Sequence, residues 1–158
     1  MKGIVAFDSV YGNTKKVAEA IAEEIKAQGH EAVLLDLGLA MRTNVDGDFL
    51  LVGSPTRMKR MTGRTKKFLR KAKKNFAGKP MAAFDTIMAP PADPEKREQA
   101  KKWTENGAGP KIRDLAEKKG MKVFPEVLRA EVIDIKGPLT LYALDDSRAF
   151  VQRFLESL

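Results

Sequence analysis

Short apolar runs and longer amphipathic segments follow one another along the whole chain. The apolar runs end at turn residues, which predicts strands at Gly3–Phe7, Ala32–Leu35, Asp48–Gly53 and Met81–Phe84. A further strand is expected within Met121–Ile135, broken near Pro125. Apolar residues at helical spacing predict helices directly after Thr14, over Thr65–Phe76, from about Gly109 to Lys119 and from about Asp145 to Leu158.

The segment Pro90–Gly107 lacks a clear pattern. Pro94 and the charged residues after it can begin a helix, whereas Asn106 and Gly107 would end one, so we expect an excursion with a helical turn. Elsewhere strands and helices alternate, which implies right-handed crossovers, a parallel sheet and helices on both of its faces. The predicted fold class is therefore α/β, with three layers.

The composition favours one domain. With 158 residues, of which 43% are apolar, the chain can build one core over residues 1–158. It has no apolar run of about 18 residues and no charged leader before an apolar segment, so we expect a cytoplasmic protein with no membrane span. The absence of cysteine excludes disulfides, thiolate metal sites and cysteine nucleophiles. We predict no metal site and no catalytic side chain, so redox chemistry would require a cofactor.

The first loop carries the strongest chemical signal. The apolar strand Gly3–Phe7 stops at the polar segment Asp8–Thr14, which opens an amphipathic helix. Backbone N–H groups at a helix N-terminus lack partners and the helix dipole favours negative charge, so such a loop can hold a phosphate or simply cap the helix. The loop has one glycine, Gly12, and lacks both the three spaced glycines of dinucleotide sites and the Gly-Lys-Ser/Thr of triphosphate sites.

Three segments resemble the flavodoxin family. Ser9-Val10-Tyr11-Gly12-Asn13-Thr14 resembles the loop with which flavodoxins hold the monophosphate of FMN. Gly53-Ser54-Pro55-Thr56-Arg57-Met58 is similar to the second flavin loop, most closely to that of quinone reductases of the tryptophan-repressor-binding-protein type. Phe84-Asp85-Thr86 resembles the end of the fourth strand in compact flavodoxin-domain proteins, and Gly137-Pro138-Leu139 also recurs in them.

The resemblance implies a flavodoxin-like, doubly wound, five-stranded parallel sheet of order 2-1-3-4-5, with FMN at its carboxyl edge. A phospho-acceptor receiver domain would need paired carboxylates after the first strand and an aspartate after the third, and this chain has Asp8 alone and Gly53-Ser54 there. The first loop would hold the phosphate, the second would line the ribityl chain and ring, and Asp85 and Thr86 would approach from another loop. The implied cofactor-binding residues are Ser9, Val10, Tyr11, Gly12, Asn13, Thr14, Pro55, Thr56, Arg57, Met58, Asp85 and Thr86.

The chain departs from the family at the ring. Many flavodoxins place aromatic rings on both sides of the flavin, but here Arg57 and Met58 follow Thr56, and Ile87 and Met88 follow Thr86. Tyr11 and Trp103 are the remaining rings that could reach it.

Charge is distributed unevenly along the chain. The net charge is +8, and Phe49–Phe84 contains no acidic residue. The basic residues there are Arg57, Lys59, Arg60, Arg64, Lys66, Lys67, Arg70, Lys71, Lys73, Lys74 and Lys79. Helical spacing puts most of them on one face, either as solvated surface or as a binding face. Arg57, Lys59 and Arg60 precede that helix, and we expect them near the ring, where they would favour the anion of fully reduced flavin.

Three functions follow from these features. The first is an FMN-binding electron-transfer protein whose redox partner proteins have acidic surfaces. The second is an FMN-dependent reductase that passes hydride from NAD(P)H to a quinone. The third is a flavin-free module whose basic face binds an acidic partner, with nucleic acid the less favoured ligand.

Overall fold

The computed structural model describes residues 1–41 and 44–158, except for the side chain of Trp103. It contains five strands and five helices within those residues. In chain order they are β1 (Lys2–Phe7), α1 (Asn13–Ala27), β2 (Glu31–Asp36), β3 (Phe49–Pro55), α2 (Gly63–Phe76), β4 (Pro80–Met88), α3 (Pro94–Thr104), α4 (Ala108–Lys118), β5 (Lys122–Val132) and α5 (Ala143–Glu156).

The strands form one parallel sheet of order β2-β1-β3-β4-β5, as the sequence predicts. The apolar side chains of each strand alternate between the two faces, so the sheet has a separate core on each side. One core joins the sheet to α1 and α5, and includes Phe49, Phe150 and Phe154. The other joins it to α2 and α4, and includes Phe68 and Phe76. The three-layer α/β/α arrangement is therefore confirmed.

The segment after Pro90 differs from its prediction. The excursion after Pro90 contains an 11-residue helix, α3, rather than a single turn. Asp93 starts it because its side chain accepts a hydrogen bond from the amide of Glu95, and Pro94 fits the first helical position. Of the described side chains of α3 only Ala100 is buried, so the helix has almost no apolar face to reveal it in the sequence.

The strands also extend further than their apolar runs. β3 continues to Pro55 and β4 to Met88, so Asp85 and Thr86 lie within β4 and not in a loop after it. β5 is continuous past Pro125, but its register shifts there: Met81 pairs with Val123, whereas Ala83 pairs with Val127. A bulge of this kind accommodates a proline, which cannot donate to the sheet. Among the described residues no helix is long and apolar enough to cross a membrane.

We predict that Gly53→Ala destabilises the fold. A Cβ at Gly53 would lie 2.0 Å from a ring carbon of Phe84, which is fully buried on the neighbouring strand. Overpacking of this kind costs about 1 to 3 kcal/mol. Urea denaturation followed by circular dichroism measures the change in the free energy of unfolding.

Gly63→Ala is the matched control for this substitution. Gly63 begins α2, and a Cβ there would meet nothing within 4 Å. The control should leave stability unchanged or raise it by up to about 1 kcal/mol. Equal stabilities for the two variants would show that the contact between Gly53 and Phe84 is not tightly packed.

Candidate cofactor-binding site

The carboxyl ends of the strands border a cleft of about 250 Å³, which we call the cofactor cleft. Ten of the twelve residues predicted to bind the cofactor line it, and the exceptions are Gly12 and Asp85. The structure adds residues from the ends of β4 and β5 that the family motifs did not include. These are Ile87, Met88, Val132 and Ile135.

The first loop turns sharply into α1. Gly12 is the N-cap residue of α1 and has φ of 91°, a left-handed conformation that glycine adopts without strain. The Ser9 hydroxyl accepts hydrogen bonds from the amides of Gly12 (3.1 Å) and Lys15 (3.3 Å). Ser9 thus holds the shape of the loop, in addition to lining the cleft.

The N-terminus of α1 has the electrostatic character of an anion site. Within the described chain, the N-cap residue makes no side-chain hydrogen bond to the helix, and the first turn contains no acidic residue. Lys15 and Lys16 follow in that turn. The amides of the first two helical residues, the positive end of the helix dipole and the nearby lysines all favour a bound anion. Because Asn13 and Thr14 line the cleft, this helix end opens directly onto it.

A buried hydrogen bond forms one wall of the cleft. The hydroxyls of Thr14 and Thr86 lie 2.8 Å apart, which joins the start of α1 to β4. Both residues also line the cleft. The Thr14 hydroxyl therefore already has a protein partner, and it can serve a ligand only through its remaining hydrogen-bonding capacity.

The second loop projects a methionine over the cleft. Arg57 and Arg60 exchange two backbone hydrogen bonds of 2.9 Å, which closes a tight turn. The two central residues, Met58 and Lys59, have φ of 50° and 64°. Asparagine and glycine usually occupy such left-handed positions, so this turn is strained. It leaves the Met58 side chain 92% exposed at the rim of the cleft.

Apolar side chains are unusually exposed around the cleft. Val10, Tyr11, Met58, Met88 and Ile135 all line it, and each is more than 40% exposed. Exposed apolar groups that cluster at one concave site indicate a surface that a ligand or partner covers.

Asp85 lies outside the cleft, contrary to the expected approach to the flavin. Its carboxylate is fully buried and accepts hydrogen bonds from the amide of Gly109 (2.8 Å), the Thr56 hydroxyl (2.8 Å) and Nε of Arg129 (2.7 Å). Burial raises the pKa of Asp85, and Arg129 is the strongest of the groups that oppose this rise. Asp85 therefore acts on the cleft through Thr56, which does line it.

The cations Arg57, Lys59 and Arg60, expected together near the ring, occupy different places. Arg57 lines the cofactor cleft, Lys59 lines a neighbouring groove, and Arg60 lines neither of them. Lys136, which the sequence motifs did not single out, has its Nζ 5.8 Å from the centre of the Tyr11 ring. The side chain of Trp103, the other ring expected near the flavin, lies outside what the structure describes.

The donor set fits the phosphate of FMN, and the apolar rim fits its ring. The first loop and the N-terminus of α1 supply hydroxyl and amide donors without a nearby carboxylate in the first turn. The rim supplies Tyr11, Met58, Met88 and Ile135, which can cover a flat apolar group.

Comparison with known proteins gives sequence and structural matches. A sequence model described as a flavodoxin domain matches residues 4–125. An uncharacterized protein of Methanocaldococcus jannaschii is 34% identical over 73 residues, a match that covers 43% of this chain and 19% of that protein. The chain thus matches about a fifth of the length of this curated relative.

Solved structures share the fold at low sequence identity. Flavodoxin 1 of Bacillus cereus has a TM-score of 0.77 and 18% identity, with 100% of this chain and 99% of that chain covered. A flavodoxin, WrbA-like protein of Agrobacterium tumefaciens has a TM-score of 0.69 and 18% identity, with 99% and 96% covered. The rubredoxin:oxygen oxidoreductase of Desulfovibrio gigas has a TM-score of 0.75 and 15% identity, with 99% of this chain but 35% of that chain covered.

These structural likenesses show the fold, and the sequence match over 4–125 shows the family. Both agree with the loop motifs and the strand order. The chain belongs to the flavodoxin-domain family.

Proposed function

We propose that the chain binds FMN in the cofactor cleft and transfers electrons between protein partners. The observation that carries the proposal is the opening of the α1 N-terminus onto a cleft with exposed apolar walls, since the N-cap residue Gly12 makes no side-chain hydrogen bond to the helix. FMN has a doubly charged phosphate at one end and a flat aromatic ring at the other. The phosphate matches the α1 N-terminus, and the ring matches the exposed apolar walls of the cleft.

The phosphate half of the proposal assigns the first loop. Asn13 and Thr14 offer amides at the positive end of α1, and Ser9 keeps the loop folded around them. Hydrogen bonds from such groups to a charged phosphate contribute roughly 1.5 to 3 kcal/mol each. Gly12 contributes its backbone shape and needs no side chain near the ligand.

The ring half assigns the apolar rim and Arg57. Tyr11, Met58, Met88 and Ile135 would exclude water from the ring, and Arg57 would place a positive charge beside it. Bound FMN supplies the redox chemistry, so no side chain has to react. The role of the protein is then to hold the ring, exclude water and set the local charge.

The basic face of α2 is proposed to meet the redox partner. Lys66, Lys67, Arg70, Lys71, Lys73 and Lys74 are all exposed, while Phe68, Leu69 and Ala72 are buried. The helix follows the second loop in the chain, and residues of that loop line the cleft. A partner with an acidic surface would be steered toward this side of the protein.

Two alternatives are separated by simple measurements. A reductase would sustain turnover with NAD(P)H and a quinone, whereas an electron carrier would be reduced efficiently only by a protein partner. A flavin-free module would show no flavin absorbance even after incubation with FMN.

We predict that FMN binds far more tightly than riboflavin. We also predict that Thr14→Val weakens FMN binding about ten-fold or more. Valine keeps the shape of the side chain but removes its hydroxyl and the bond to Thr86. Quenching of flavin fluorescence gives the dissociation constants.

Thr65→Val controls for the loss of a buried hydroxyl. Thr65 is fully buried and, like Thr14, lies 2.8 Å from a second threonine hydroxyl near a helix N-terminus, but it does not line the cleft. The Thr65→Val variant should bind FMN with an affinity within about two-fold of that of the unsubstituted protein. Equal losses in the two variants would place the phosphate elsewhere.

A second prediction concerns the potential of the flavin. Arg57→Gln should lower the midpoint potential of the last reduction step by tens of millivolts, because the arginine attracts the negative charge of fully reduced FMN. Arg60→Gln, in the same turn but outside the cleft, should change it much less. A spectroelectrochemical titration measures the midpoint potential of each variant. If Arg57→Gln leaves that potential unchanged or raises it, Arg57 does not lie beside the flavin ring.

A third prediction concerns partner charge. Electron transfer to a small acidic ferredoxin should slow as salt rises, because salt screens the attraction between the two proteins over about 10 Å at 0.1 M. Transfer to the basic cytochrome c should not slow, because there salt screens a repulsion. Stopped-flow absorbance measures both rates.

The triple variant Lys66→Gln/Arg70→Gln/Lys73→Gln on α2 should weaken the salt dependence with ferredoxin. Lys26→Gln/Lys118→Gln/Lys122→Gln changes the net charge equally, at exposed lysines outside α2. If both triple variants reduce the salt dependence equally, the net charge and not the α2 face guides the partner.

A further inference from the structure

Strand β2 lies at one end of the sheet, and we call its outer side the β2 edge. Within the described residues, Glu31–Asp36 pair with β1 alone, in one unbroken parallel register. The outer side of such a strand presents a row of unpaired backbone donors and acceptors to solvent. The β2 edge can therefore accept a further strand.

Hydrogen bonding to β1 identifies the backbone groups that face outward. The amide of Glu31 donates to the carbonyl of Met1 at 2.9 Å, on the β1 side. Backbone groups of successive residues in a strand point to opposite sides, so the amides of Ala32, Leu34 and Asp36 point away from β1. These three amides are the donors that an added strand would meet.

The β2 edge lacks the features that usually prevent the pairing of exposed strands. Its six residues, all of them described, include no proline or lysine and form no bulge. The strand at the other end of the sheet, β5, contains Pro125 and a shift of register, and its last residue, Val132, pairs with Leu139. The edge at β5 is thus interrupted and partly covered, whereas the edge at β2 is regular and open.

Apolar side chains are exposed on both faces of β2. Val33 is 40% exposed and Leu34 is 42% exposed, and as successive residues they point to opposite faces of the sheet. Side chains of an added strand would lie beside them on both faces. Such cross-strand pairs supplement the backbone hydrogen bonds, each by a fraction of the energy of burying a side chain.

The β2 edge also differs in charge from the rest of the chain. The chain has 29 lysines and arginines among 158 residues, but none lies within 27–41. Glu31 and Asp36 are at the two ends of β2, and neither forms an ion pair with another described residue. A second copy of the chain would add two more carboxylates to this edge, which disfavours self-pairing. A basic segment is complementary to it.

We propose that the β2 edge binds an extended segment of a partner protein, with apolar residues at the centre of the segment and basic residues at both ends. The segment would add to the sheet as a sixth strand, a known mode of peptide recognition. Its apolar residues would pack beside Val33 and Leu34, and its basic residues would pair with Glu31 and Asp36. No residue of β2 lines the cofactor cleft, so this binding does not require FMN.

The probe is the synthetic peptide acetyl-Lys-Lys-Thr-Val-Leu-Val-Thr-Lys-Lys-amide. It is titrated into isotope-labelled protein, and amide chemical shifts and hydrogen exchange are followed by NMR. Shifts should centre on Glu31–Asp36, and exchange of the outward amides of Ala32 and Leu34 should slow about ten-fold or more at saturation. Saturating FMN should leave the affinity for the peptide unchanged.

Two matched peptides separate charge from strand pairing. In the first, glutamate replaces every lysine, and it should bind about ten-fold more weakly or worse. In the second, proline replaces both valines, which keeps the charge but removes two backbone donors and hinders strand pairing. It should also bind about ten-fold more weakly and give no slowing of exchange at Leu34. Equal affinity for the lysine peptide and the proline peptide would overturn strand addition.

Charge variants test the protein side of the interface. Glu31→Gln/Asp36→Asn should weaken binding of the lysine peptide about ten-fold. Asparagine at position 36 keeps a side-chain oxygen that can accept from the amide of Gly38, as Asp36 does. The control, Asp114→Asn/Glu117→Gln, removes the same charge at exposed carboxylates on α4 and should change affinity by less than about two-fold. Equal losses in the two double variants would contradict the proposal.

Two further results would also overturn it. Peptide-induced shifts centred on Ser9–Thr14 would place the peptide at the first loop instead of the β2 edge. If exchange at Ala32 and Leu34 slows in the protein alone as its concentration rises, a second copy of the chain is the occupant of the edge.

Discussion

The buried carboxylate of Asp85 connects most of the elements around the candidate site. It accepts hydrogen bonds from Thr56 in the second loop, Gly109 at the start of α4 and Arg129 on β5. Burial opposes its charge, and these donors offset that cost; removing one partner of such a pair costs about 3 to 5 kcal/mol. The Thr56 hydroxyl also accepts from the amide of Ala108, and Arg129 also holds Thr104. The cofactor cleft therefore depends on a carboxylate that does not line it.

Much of the fold is predictable because its physical causes are local. Short apolar runs that end at turn residues, such as Gly3–Phe7, favour buried strands, and α1 and α2 have clear apolar faces. The start of α3 at Pro94 is predictable, but its length is not, because its described side chains are mostly exposed and leave no apolar pattern. The left-handed turn at Met58 and Lys59 is not predictable either, since neither residue favours that conformation.

The candidate site is predictable where a motif combines loop shape with donors, as in Ser9–Thr14. It is not predictable where the same residue type can serve the ligand or the fold. Asp85 is such a case, because a carboxylate near a strand end looks alike in sequence whether it meets a ligand or an arginine on the next strand. Ile135 is another, because its place at the cleft depends on the path of the chain after β5. The positions of the basic side chains are not predictable from the sequence either. Arg57, Lys59 and Arg60 are close in sequence, yet of the three Arg57 alone lines the cleft.

The central claim is that the open end of α1 and the apolar rim together hold FMN. The most direct test is an absorbance spectrum of the protein after incubation with FMN and removal of free flavin by gel filtration. The account predicts about one FMN retained per chain, with flavin bands shifted from those of free FMN because the rim replaces water around the ring. A colourless protein, with all FMN recovered free and unshifted, would contradict the account.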